Sequence, residues 1–141
     1  RNEASDRSCR SQRRLMAICG IGTDIVEIAR IEQILNRHGE RFAARLLHPD
    51  EMAAWRCAVA PATLLAKRFA AKEALSKALG TGLRGIVSLH NIGVCHDQLG
   101  RPEFFFAPPL AAELASRGIQ RLHLSLSDER AYVLAFVVIE T

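Results

Sequence analysis

Two periodicities divide the chain. "AICGIGTDIV" over 17–26 is β-branched and punctuated by glycine, which predicts an opening strand ending near Asp24. Helical spacing follows in "EIARIEQILNRHG", where Ile28, Ile31 and Leu35 repeat on one face and Gly39 supplies a stop. "ERFAARLLHPDEMAAWRCAVAP" predicts two short helices, the second opened by Pro49 and Asp50. A long helix is expected from Pro61 through Leu79, since proline suits a first helical turn and Gly80 a helix end. Beyond it the period changes. "HNIGVCHDQLGRPEFFFA" reads as two strands around a turn at Gln98 to Arg101, "PPLAAELASRG" as a short helix from Pro108 to Gly118, and "RLHLSLSDERAYVLAFVVIE" as a closing hairpin around Asp128 to Arg130. Four or five strands with segregated helices predict an α+β fold, with a mostly antiparallel sheet and the long helix packed against it. No internal repeat interrupts this order.

Length and composition narrow the function classes. A chain of 141 residues, with hydrophobic residues at 49% and charged residues at 24%, is expected to form one globular domain. No apolar run approaches the ~18 residues of a membrane span. Formal net charge is +4, yet residues 1–15 carry five arginines against Glu3 and Asp6, so the remainder is close to neutral. That distribution argues against nucleic acid as a partner. Residues 1–15 read as a leader or expression remnant, with the domain running from 16 to 141 and Met16 as a natural start. Cys9, Cys19, Cys57 and Cys95 form no CxxC pair and no zinc spacing, so inert or buried thiols in a reducing, cytoplasmic setting are expected.

Four groups of residues carry candidate chemistry. On the helix that carries "RFAAKEALSKALGTG", residues 68–82, Leu64 and Leu65 just before the stretch and Leu75 and Leu79 within it define an apolar stripe into which Arg68 and Lys72 project one turn apart. Glu73 and Lys77 lie on its flank, where Ala66 and Ala70 leave room for a ligand. Two readings stand side by side: a surface Glu73–Lys77 pair with Arg68 and Lys72 snorkelling from a core edge, or a phosphate site completed by the backbone of Gly80, Thr81 and Gly82. Asp24 ends a strand, as a helix cap or as one of the one or two carboxylates that Mg²⁺ takes, with Glu73 as the other. In "RLHLSLSDER", His123, Ser125 and Ser127 alternate onto one polar face, wet or lining a site. Arg30, Gln33 and Arg37, followed by Arg41 and Arg45, form a charged face that is either solvated or steers an acidic partner.

"GIGTDIVEIARIE", "AKRFAAKEALSKALGTG", "LGRP" and "HLSLSDERAYVLAFVVIE" occur in order over Met16 to Glu140. Together they resemble the small bacterial 4'-phosphopantetheinyl transferases of the holo-[acyl-carrier-protein] synthase family. The resemblance implies Mg²⁺-dependent transfer of the 4'-phosphopantetheine group from coenzyme A to a serine of apo acyl carrier protein, releasing adenosine 3',5'-bisphosphate. It also implies a homotrimer with sites between subunits. By position, Asp24 and Glu73 match the metal carboxylates, Lys77 the lysine near the reacting phosphate, and Arg68 a coenzyme A phosphate contact. Gly80, Thr81 and Gly82 match the turn around the nucleotide, Pro102 and His123 fall in segments bordering it, and Arg30, with Arg37 on the same face, matches the carrier-docking helix. The proton acceptor is Glu73 or a metal-bound water. Asp128 departs from the pattern, standing where many members carry a second histidine near the phosphates. A non-catalytic coenzyme A binding module and a metal-dependent phosphohydrolase are the rival readings.

Overall fold

A computed structural model describes residues 16–141; the leader assigned to 1–15 lies outside the described residues. The order is β1 (Ile18–Glu27), α1 (Ile28–His38), α2 (Glu40–Leu46), a 3₁₀ turn (Pro49–Glu51), α3 (Met52–Arg56) and α4 (Pro61–Ala78). A second 3₁₀ turn (Leu89–Asn91) leads into β2 (Ile92–His96), β3 (Pro102–Phe106), α5 (Pro108–Ser116), β4 (Arg121–Asp128) and β5 (Tyr132–Glu140). The expected elements are all present, but their strands divide into two groups. β1, β5 and β4 form an antiparallel sheet with β5 central, while β2 and β3 pair separately as a hairpin. Gly100 at φ +81° and Asp97, whose Oδ1 accepts from the amides of Leu99 and Arg101, shape that hairpin's turn.

The core lies between α4 and the inner face of the three-stranded sheet. Val133, Ala135, Val137 and Ile139 alternate inward along β5, as period-2 patterning requires. Against them sits a helix buried almost all round: Leu65, Ala66, Ala70, Ala71, Ala74 and Leu75 have no exposed surface. The reading of Ala66 and Ala70 as a shallow, open flank is therefore corrected, because both lie in the core.

Small residues set how close α4 comes to β1. A Cβ placed on Gly22 would lie 1.9 Å from the Ala74 carbonyl oxygen, and one on Gly20 would lie 2.0 Å from that of Ala78. Glycine facing alanine thus lets helix backbone rest directly on strand backbone. The consequence for function is local: the last turns of α4 are held over the middle of β1, where Asp24 sits.

Candidate active site

Asp24 faces inward from β1, in line with Gly22 and Val26, and its side chain is only 17% exposed. It is not a helix cap. α1 begins four residues later, after Glu27, and has no side-chain cap. Lys77, one turn beyond Glu73 on α4, donates from Nζ to Asp24 Oδ1 at 3.0 Å and to the Thr23 carbonyl at 3.0 Å. Of the two readings of this helix, the Glu73–Lys77 surface pair is not formed; Lys77 makes instead a tie between α4 and β1, spanning the glycine–alanine seam.

Glu73 and Asp24 line one cleft of about 360 Å³, with Arg30 at its side and Ile34, Phe42 and Phe69 among its apolar walls. Partial burial, followed by repulsion from Asp24, raises the Glu73 carboxyl above the ordinary 4.5, with Lys77 opposing. Two carboxylates lining one cleft form a donor set suited to a divalent cation. Among the described residues no group of three or more His, Cys, Asp and Glu gathers at one point; two carboxylates are what Mg²⁺ uses when a phosphorylated ligand and waters complete its shell. The sign of the shift gives a prediction. A carboxyl whose folded-state value is raised favours the neutral form, so its ionisation costs stability as pH rises above the unfolded value. Glu73→Gln is accordingly expected to raise the melting temperature of metal-free protein at neutral pH. Scanning calorimetry across pH should show this gain vanish below about pH 4, where both states of the wild-type residue are protonated.

The Gly80–Thr81–Gly82 turn follows α4 directly. Gly80 N–H bonds the Lys77 carbonyl and Gly82 N–H the Ser76 carbonyl, with φ of +75° and +64° at the two glycines. Two of the three amides expected to face a phosphate instead close the helix end. Only the Thr81 amide, of the three, has no backbone acceptor among the described residues.

A second cleft, of about 460 Å³, opens on the other side of α4 between the Asp50–Ala54 segment and β2. Arg68 lines it at 7% exposure, beside His96, Cys95 and Phe105. Arg68 Nε lies 3.1 Å from Glu51 Oε2 as an ion pair, off the axis of a hydrogen bond. His96 is held below its ordinary value by burial and then by the charges of Arg68 and Lys67, against Asp97. Pro102 is the register partner of His96 across the hairpin and is not among the residues that line this cleft.

Lys72 has no exposed surface and does not snorkel. Its Nζ donates to Glu51 Oε1 at 2.5 Å, to the Leu46 carbonyl at 2.9 Å and to the Leu89 carbonyl at 3.1 Å. Burial pulls the ammonium down to about 8 against the opposing charge of Glu51, leaving it protonated at neutral pH. Glu51 itself was absent from the sequence-derived candidates. Two cations inside an apolar stripe were the signal that a buried acid had to exist, and "HPDE" carries the start pattern of a capped turn, in which Glu51 accepts from the His48 amide.

The remaining candidates lie apart from the Asp24–Glu73 cleft. His123 is on the outer sheet face, its Nε2 2.7 Å from Glu140 Oε2. Asp128 pairs with Lys67 at 3.2 Å, one residue before Arg68. Arg41 and Arg45, with His38, line a cleft of about 240 Å³ that shares Ile34 and Phe42 with the Asp24–Glu73 cleft, whereas Arg37 is exposed and lines neither. Cys19, Cys57 and Cys95 are free and exposed, not buried.

The class of protein is set by the fold and by these residues together: an α+β domain with an acid pair beside a lysine and a buried arginine on another face of the same helix. Residues 20–137 match the family model of the 4'-phosphopantetheinyl transferase superfamily. A holo-[acyl-carrier-protein] synthase of Neisseria meningitidis serogroup A is 54% identical over 123 residues, 87% of this chain and 98% of that protein. The crystal structure of a holo-[acyl-carrier-protein] synthase from Neisseria meningitidis superposes with a TM-score of 0.86 at 54% identity, over 89% of this chain and 100% of that one. A Bacillus anthracis holo-(acyl-carrier-protein) synthase in complex with CoA (3',5'-ADP) superposes at 0.74 with 35% identity, over 88% and 97%. The chain belongs to the holo-[acyl-carrier-protein] synthase family within that superfamily.

Proposed function

We propose that this chain transfers 4'-phosphopantetheine from coenzyme A to the serine hydroxyl of an apo acyl carrier protein, giving holo carrier protein and adenosine 3',5'-bisphosphate. The observation that carries this reading is the Lys77–Asp24 tie facing Glu73 across one cleft, in a chain 54% identical to a holo-[acyl-carrier-protein] synthase. The serine oxygen forms the new P–O bond, and the bond to the bridging pyrophosphate oxygen breaks with adenosine bisphosphate leaving. Asp24 and Glu73 are the residues that would hold Mg²⁺, which when bound neutralises pyrophosphate charge. Lys77, half-exposed and anchored by Asp24, presents its ammonium to the reacting phosphoryl group. Asp24 is engaged by Lys77, so Glu73 is the carboxylate left to receive the serine proton. Arg68, Pro102 and the Thr81 amide are assigned to the coenzyme's phosphates and nucleotide. The rival hydrolase would consume coenzyme A without a carrier; the transferase reading expects adenosine 3',5'-bisphosphate to appear only when coenzyme A and apo carrier are both present, and release without carrier contradicts it.

The basic surface that begins at Arg30 and continues through Arg41 and Arg45 supports docking of an acidic carrier protein at the mouth of the cleft. Arg30→Glu is expected to raise the KM for carrier protein about tenfold while leaving the KM for coenzyme A within about twofold. Steady-state kinetics with each substrate varied in turn checks this, and equal effects on both substrates contradict it.

A homotrimer is part of the same proposal. Ile21 and Ile25 of β1 are more than 60% exposed and stand beside Val138 and Leu134 of β5, with Phe136 and Tyr132 extending the apolar stripe. An apolar face of this kind on a folded domain favours cover by further copies of the chain. His123 and Ser125 sit in the same rows on β4, at the rim of that stripe, where a neighbouring copy's site would meet them. No helix among the described residues is long and apolar enough to cross a membrane. A cytoplasmic setting is part of the same proposal, because coenzyme A and the carrier protein are the substrates it assigns.

A further inference from the structure

The buried charges under the second cleft do not balance. Lys72 and Glu51 form a complete pair: the ammonium has three acceptors, and the same carboxylate also accepts from the His48 and Val94 amides. Arg68 is a second cation on the same acid, one helical turn away and nine-tenths buried, with no hydrogen bond from its guanidinium to any described residue. A surplus buried cation with unmet donors is costly unless the structure expects an anion. Glu51 also ties together three of the elements around the cleft that Arg68 lines: its own turn, β2 through the Val94 amide, and α4 through both cations.

We propose that Glu51 is a positioning residue for coenzyme A binding, orienting the Arg68 guanidinium through Nε so that its terminal nitrogens meet a phosphate of the coenzyme. Lys72 pairs with the other oxygen of the same carboxylate, through Oε1, and fixes it from the opposite side. The proposal rests on the reading of this chain as a coenzyme A-dependent transferase with Arg68 as a phosphate contact.

Glu51→Gln alone would leave two buried cations against no acid and risks unfolding. The test therefore compares Lys72→Met, which retains the Glu51–Arg68 pair, with Glu51→Gln/Lys72→Met, which leaves Arg68 without a charged partner. Three quantities are measured on each purified protein: the KM for coenzyme A, kcat at saturating coenzyme A, and the Kd of adenosine 3',5'-bisphosphate by calorimetry. Relative to Lys72→Met, the double variant is expected to raise both KM and Kd about tenfold, with kcat and the KM for carrier within about twofold. Equal KM and Kd in the two variants overturn the proposal and leave Glu51 a structural acid only. Should the double variant fail to fold, Glu51→Asp keeps the charge but shortens its reach, and is expected to raise the same Kd severalfold; an unchanged Kd overturns the proposal equally. Wild-type protein that turns over no coenzyme A defeats the transferase reading instead, so the two failures are distinguishable.

Discussion

Asp24→Ala and Glu73→Ala are each expected to lower the rate of phosphopantetheine transfer by about three orders of magnitude or more. A bound metal contributes several kcal/mol of charge stabilisation in phosphoryl transfer, and each 1.36 kcal/mol is tenfold in rate. With two protein carboxylates available, removal of either leaves a single-ligand site. The two variants should differ in one respect. Glu73→Ala removes a partly exposed acid whose burial and proximity to Asp24 disfavour its charge, so the fold is expected to keep or gain stability. Asp24→Ala also releases Lys77 from its only side-chain partner among the described residues, so the lysine's placement is lost with the acid. Initial rates at saturating Mg²⁺, with melting temperatures as control, check both. Near-normal turnover in a folded variant would remove that residue from the site.

Gly22→Ala is expected to be the most damaging small substitution outside the site. The new methyl would meet the Ala74 carbonyl oxygen at 1.9 Å and the Ala78 amide nitrogen at 2.7 Å, both of them helix backbone that has no rotamer to change. Relief requires α4 to lift from β1 as a body. Overpacking of this kind costs roughly 1–3 kcal/mol or more, equivalent to a fall of about 5–15 °C in melting temperature for a domain of this size. Activity should suffer beyond stability, because the Lys77–Asp24 bond bridges the same gap. Transfer assayed well below the variant's melting temperature is expected to be reduced at least about tenfold. Full activity in a stable Gly22→Ala protein would show that the close seam does not position the site.

Much of this arrangement is legible in the sequence where local rules decide it. Pro61 and Gly39 mark helix boundaries, the Gln98 to Arg101 turn falls where glycine permits it, and the alternation of His123, Ser125 and Ser127 appears on the outer face of β4. Asp24 and Glu73 are selected by chemistry and meet in one cleft although they lie 49 residues apart in the chain. What local rules do not decide is partner choice across the chain. Lys77 offers the same i−4 acid to any helical reading, yet a fold that presses α4 onto β1 presents Asp24, 53 residues away. Lys72 and Arg68 look like snorkelling cations until Glu51, which lies in a short turn, is brought beneath them. Helical periodicity assumes one wet face, and α4 has little because sheet, hairpin and the α1–α3 layer surround it. The division of five strands into a sheet and a separate hairpin depends on the same long-range pairing.

Intact-mass spectrometry of an apo acyl carrier protein, after incubation with this protein, coenzyme A and Mg²⁺, reads the proposed transfer itself. A gain of one 4'-phosphopantetheine on the carrier serine is expected, absent when Mg²⁺ is chelated or Glu73→Ala replaces the wild type. A carrier whose mass is unchanged while coenzyme A is bound or hydrolysed would contradict it.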